Sequence, residues 1–139
     1  MSIQKELEQM EKDLDLINVL DKCAHEHCWE KGITDSAKDW YIKHWYLCNK
    51  YPNEAISAIS GSADELWHSH ITDTQKYTAD SNNILGVFMH HKPIYGEPND
   101  TEIKAYERTK ELYMQEFGAL PSDMRMTSHR GLSYALPRV

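Results

Sequence analysis

Ala37-Lys38-Asp39-Trp40-Tyr41-Ile42-Lys43-His44-Trp45-Tyr46-Leu47-Cys48 is the stretch that decides the fold. Ala37, Trp40, Tyr41, His44, Trp45 and Cys48 recur every three or four residues, the spacing of one face of an α-helix. Thr34 or Asp35 can cap the start of this helix. Tyr51-Pro52-Asn53 ends it, because the residue before a proline is pushed out of helical geometry. His44 therefore sits on a buried face, either as a core histidine held by a carbonyl or carboxylate or as part of a pocket wall.

Working outward, the same periodicity recurs on both sides. Toward the N-terminus, Ile3, Leu7, Met10, Leu14 and Ile17 form a stripe that can continue through Ala24 and Cys28 until Gly32 stops it. Its heptad-like spacing allows a homodimer seam, but packing within its own domain explains it equally with fewer assumptions. Toward the C-terminus, Ser62 with Glu65 three residues on is a capping-box pattern, followed by the apolar Leu66, Trp67 and Ile71. Thr72-Asp73-Thr74-Gln75 offers a second cap, and Tyr77, Ser81, Ile84, Leu85 and Phe88 carry a further stripe. The segment His90-His91-Lys92-Pro93, with Tyr95-Gly96-Glu97-Pro98 after it, reads as a loop. A last helix starts near Asn99 or Asp100, turns Ile103, Tyr106, Tyr113 and Phe117 inward, and stops at Gly118. Strand signals are scarce. The expected fold is all-α, a single domain of four to six helices packed as an irregular bundle over residues 1–120. Residues 121–139 are expected as an irregular basic tail carrying Arg125, Arg130 and Arg138.

Composition narrows the function classes. The 139 residues carry 22 Asp plus Glu against 15 Lys plus Arg, a formal net charge of −7. That balance argues against nucleic acid, whose non-specific binding depends on cationic side chains at phosphates. No apolar run reaches the roughly 18 residues that span a bilayer, and the charged N-terminus does not resemble a signal peptide. Three cysteines, an odd and low count, suggest a reduced, cytoplasmic protein. No glycine-rich phosphate loop is present, and Cys23, Cys28 and Cys48 fall on helix faces where thiols are usually inert.

Histidine occurs eight times, and four fall close together: His68 and His70, then His90 and His91. Neutral imidazole is the commonest protein ligand for zinc, iron, copper and nickel. Asp64 and His68 are four apart and share a helix face, whereas His68 and His70 diverge, as do adjacent His90 and His91. The minimal metal set is thus Asp64, His68 and one of His90 or His91, with His70 the next candidate. Trp67, Tyr77 and Tyr95 would wall the pocket. The alternative is a hydrogen-bonded structural network in which Asp64 accepts from His68 while His90 and His91 cap helix carbonyls. His25 reads as solvated and His27 as incidental, and His129 either joins the site or faces solvent.

Asp64-Glu65-Leu66-Trp67-His68-Ser69-His70-Ile71, then Asp73-Thr74, Tyr77, Gly86 and Phe88-Met89-His90-His91-Lys92-Pro93, resemble the glycine-rich domain-containing protein-like family. Its pattern is Asp-x-x-Trp-His-x-His-Ile/Met, a tyrosine shortly after, and Gly-x-Phe-x-His-His-x-Pro. Residues 106–118 resemble its closing helix. The resemblance spans residues 29–118, most specifically 64–96, and the glycine-rich region of the plant members has no counterpart here. Ser81 stands where the family pattern implies a cysteine. The resemblance implies a shared architecture and a shared histidine cluster, not a reaction.

The functional expectation is a small cytoplasmic protein binding a transition metal, zinc or iron, at a histidine/aspartate site, with an unknown small molecule or protein as its partner; whether it is also a metal-dependent enzyme stays open. The alternative is a helical protein-interaction or regulatory module whose histidines are structural.

Overall fold

In the computed structural model, which describes residues 2–125 and 132–138, the helical stripes resolve into six helices. These are α1 (Ile3–Leu14), α2 (Ile17–His27), α3 (Lys31–Lys50), α4 (Gly61–Thr72), α5 (Thr74–Leu85) and α6 (Asp100–Phe117). Helix α3 runs through the middle. Its Tyr41, Ile42, His44, Trp45, Tyr46, Leu47 and Cys48 are buried, and it packs against α1, α2, α4 and α5. The fold is mainly helical, and no described helix is long and apolar enough to cross a membrane.

Most helix ends follow their local chemistry. Asp73 accepts from the Lys76 amide and starts α5 directly after α4, while Gly86 closes α5 in the left-handed region at φ 80°. Asn99 and Glu102 form a reciprocal capping box on α6, whose stop at Gly118 is also as expected. Other boundaries differ from the periodicity. The N-terminal stripe is cut at Asp15, which adopts φ 45° without a glycine or proline nearby. The break is fixed from another element, since the Lys76 ammonium donates to the Leu14 carbonyl at 2.5 Å. The second helix then ends at Cys28, itself left-handed at φ 54°, and not at Gly32. Trp29 N–H reaches back to the Ala24 carbonyl at 2.9 Å, the six-to-one bond of a Schellman turn. Gly32 falls within the first turn of α3, which begins before Thr34.

On α6 the buried residues are Tyr106, Thr109, Leu112 and Tyr113. Ile103 is largely at the surface and Phe117 only partly covered.

The described residues after Pro121, expected as an irregular tail, include a strand. Residues 133–135 make β3 (Ser133–Ala135), the middle strand of a small antiparallel sheet between β1 (Ile56–Ser57) and β2 (His91–Pro93). Ala135 lies opposite both Ile56 and His91. Arg138 then donates to the carbonyls of Leu85, Cys48 and Asn49 at 2.7, 2.6 and 3.2 Å, satisfying the C-terminal ends of α5 and α3. The last residues therefore clamp the helices to the sheet. Arg130 and His129 lie outside the described residues.

Candidate metal centre

The site is assembled at the start of α4. Ser60, not Ser62, is the N-cap, accepting from the Ala63 amide at 3.2 Å. Asp123 locks this turn by accepting from Ser60 Oγ at 2.8 Å and from Ser62 N and Oγ at 2.8 and 2.6 Å. With the helix phased this way, Asp64 points inward and is fully buried, while His68 one turn later stays 46% exposed.

His91 comes to the same place from β2. Tyr77 fixes that approach: its hydroxyl donates to the Met89 carbonyl at 2.6 Å and accepts the Trp67 indole N–H at 2.8 Å. The Trp67 ring then meets His91 edge-on, centroids 4.3 Å apart. As a result His91 Nε2 lies 3.0 Å from His68 Nε2, and each lies 3.8 Å from Asp64 Oδ1.

Asp64 is held by four partners. Ser133 Oγ donates to Oδ1 at 2.7 Å, Arg125 Nη1 donates to Oδ2, and the two imidazoles face Oδ1. Burial alone would raise the carboxyl pKa. The neighbouring His91 and His68 imidazoles, the Ser133 hydroxyl and the Arg125 charge outweigh it and hold Asp64 below the ordinary carboxylate range. Arg125 also donates to Glu65 Oε1 at 3.1 Å, and the other Glu65 oxygen lies 3.5 Å from His27 Nε2.

Two facing imidazole nitrogens at 3.0 Å cannot both carry a proton, so at least one presents a lone pair to the other. A point equidistant from the three donor atoms lies about 2.1 Å from each, the bond length of zinc to imidazole and carboxylate. Asp64, His68 and His91 could therefore hold a metal ion. Nitrogen donors favour zinc or iron over calcium.

The remaining expected site residues fall elsewhere. His70 is on the far face of α4, fully buried, its Nδ1 2.7 Å from Tyr41 Oη and its Nε2 2.8 Å from Asp80 Oδ2. It belongs to a separate network that ends at Lys76, 3.1 Å from Asp80, and does not converge on Asp64. His90 precedes the strand and is exposed against Phe88, because neighbouring residues of an extended chain point to opposite sides. His44 is buried behind Trp67, centroids 4.6 Å apart, and Tyr77 is likewise a layer behind, so neither reaches the donor atoms. Burial lowers the His44 pKa to about 3, keeping the ring neutral. Tyr95 is no wall: it stands 79% exposed in the turn at Gly96 with the Lys92 ammonium over its ring. His27 is exposed, stacks on Trp29 and lies 3.5 Å from Glu65. Ser81 is buried on α5 with no hydrogen-bond partner for its hydroxyl among the described residues.

Ser133, Arg125 and Asp123 were not recognisable in sequence, since each acts on α4 from 60 or more residues away. Of the missed residues only Asp80 left a local trace, its four-residue spacing from Lys76. Comparison of the chain with family models, with curated proteins and with solved structures returns no match.

Proposed function

We propose that this protein binds a transition metal, zinc or iron, through Asp64 Oδ1, His68 Nε2 and His91 Nε2. The observation that carries the reading is the convergence of three donor atoms around one point at metal-bond distance. Two imidazoles and one carboxylate leave coordination positions open, the pattern of sites that work on water or substrate. The half-exposed His68 gives such a site a side open to solvent. A bound zinc or iron would supply Lewis acidity there, lowering the pKa of a water molecule or polarising a substrate oxygen. On this reading the protein is a small metal-dependent enzyme. Trp67 and Tyr77 set the position of His91, and Ser133 and Arg125 set that of Asp64. The unbridged Cys23, Cys28 and Cys48 are in keeping with a reducing, cytoplasmic setting. Five residues of the quoted motifs, Asp64, Trp67, His68, Tyr77 and His91, build the cluster, which supports kinship with the glycine-rich domain-containing protein-like family.

One observation favours a second reading. Asp64 already has Ser133 and Arg125 as partners, and the two imidazoles can hydrogen-bond each other. The cluster is then a structural polar core in a helical interaction module.

Elemental analysis and cobalt absorption spectroscopy of tag-free protein, reconstituted with zinc, iron or cobalt, separate the two. The metal reading expects one ion per chain in wild type and in His90→Ala, and none in His68→Ala or His91→Ala. A wild type that takes up no stoichiometric metal, or a His68→Ala/His91→Ala double variant that keeps it, refutes the assignment.

A further inference from the structure

We propose that Arg125 is a built-in counter-cation that keeps the chain folded without metal, so that the Asp64–His68–His91 centre holds an exchangeable ion and not a structural one. The inference rests on the metal reading above. A structural zinc site uses the ion to neutralise its own buried ligands, and the chain unfolds when the ion is withdrawn. Here the fully buried Asp64 has a second source of positive charge. Its two oxygens are divided between two tasks. Oδ2 receives the Arg125 guanidinium, while Oδ1 faces His68, His91 and the Ser133 hydroxyl.

The Arg125 backbone is positioned by parts of the fold that do not touch the donor atoms, and Glu65 Oε1 holds its guanidinium at 3.1 Å from beside them. Arg125 N–H donates to the Ile59 carbonyl at 2.8 Å, and the Tyr106 hydroxyl donates to the Arg125 carbonyl. Two residues earlier, Asp123 is tied to Ser60 and Ser62. The cation is therefore in place whether or not an ion occupies the centre. A buried carboxylate that loses its only counter-charge is strongly unfavourable, whereas one already paired tolerates the loss of a second cation. Arg125 and the metal compete to neutralise the same carboxylate, and competition for one group makes their coupling antagonistic. By linkage, removing Arg125 should tighten metal binding and make folding depend on it.

The test measures thermal unfolding in excess chelator and in saturating zinc, with zinc affinity from chelator competition. It uses wild type, Arg125→Met, Arg125→Lys and the double variant Asp64→Asn/Arg125→Met. Wild type and Arg125→Lys should stay folded in chelator and gain less stability from saturating zinc than Arg125→Met does. Arg125→Met should lose stability in chelator, regain most of it with zinc, and bind zinc about tenfold more tightly than wild type. The double variant, with no buried charge left, should recover stability in chelator and ignore zinc. Wild type that unfolds in chelator overturns the proposal, as does an Arg125→Met that binds zinc more weakly or is equally damaged with and without it. If Arg125→Met fails to fold in both conditions, the double variant decides: recovery upholds charge compensation, and failure to recover overturns it. If no variant binds zinc, cobalt or iron, the metal reading and the exchangeable ion fall together. Recovery of the double variant would then still establish Arg125 as the partner of Asp64.

Discussion

His68 and His70 are two residues apart on one helix, and they live in different chemical worlds. His68 is half-exposed, and its Nε2 meets that of a second imidazole from a distant strand beside a carboxylate. His70 is fully buried, and each ring nitrogen has one dedicated partner: the Asp80 carboxylate at Nε2 and the Tyr41 hydroxyl at Nδ1. Proximity of histidines in a sequence is therefore a poor guide to a site. The useful criterion is whether their lone pairs converge on shared space or are each consumed by a single hydrogen bond.

The largest test of this contrast is His70→Ala. It leaves the buried Tyr41 hydroxyl without its partner, leaves Asp80 with Lys76 alone, and opens a cavity between Tyr41, Trp45 and Tyr77. The expected loss is about 3–4 kcal/mol of unfolding free energy, read by denaturant titration. Zinc stoichiometry in whatever fraction stays folded should remain at one. If the variant loses little stability, His70 is not the structural histidine and the contrast fails.

The next effect comes from pH. His44 is kept neutral in the folded chain by burial, with its pKa lowered to about 3 from 6.5. The unfolded chain binds a proton below pH 6.5 that the folded chain refuses, so stability falls as pH drops from 6.5 toward 3. Between pH 6.5 and 5 the expected loss is roughly 2 kcal/mol. The Asp64 carboxyl, lowered from 3.8, contributes in the same direction but only as pH falls through and below that value. Denaturant midpoints measured across pH 5–7 should therefore slope in wild type and flatten in His44→Phe. A slope that survives in His44→Phe assigns the acid sensitivity to another group.

Smaller again is Tyr77→Phe. It deletes the hydroxyl between the Trp67 indole and the Met89 carbonyl and leaves both without that partner. About 1–2 kcal/mol of stability should go. Because this bridge sets the height of β2 against α4, zinc affinity should also fall about tenfold while cobalt keeps its coordination number. An unchanged affinity would show that Trp67 packing alone positions His91.

The sequence made helices legible wherever periodicity and a cap agreed, as at Asp73 and Asn99. It was silent where a distant group decided the matter. The cut at Asp15 depends on Lys76. Strands of two or three residues are too short to show alternation, so β1, β2 and β3 left no pattern. The same shortness hid which of His90 and His91 turns inward, since that choice is made by pairing of His91 with Ala135. Asp64 and His68 were readable because both lie on one helix, one turn apart. Ser133 and Arg125 were not, because only the folded chain brings a serine and an arginine from its last residues onto Asp64.

His68→Ala should have the smallest effect on stability and the clearest effect on function, the reverse of His70→Ala. The His68 ring is 46% exposed, so its removal opens no closed cavity, and solvent can take over the hydrogen bond to His91. Surface-level losses of about 0.5 kcal/mol or less are expected from denaturant titration. Asp64 keeps Ser133 and Arg125, and so stays compensated. The proposed metal site, however, loses one of its three donors, and stoichiometric zinc should disappear. A His68→Ala protein as unstable as His70→Ala would mean that the Asp64–His68–His91 cluster is structural too. Two histidines of one helix would then differ only in depth, and the interaction-module reading would take precedence over the metal.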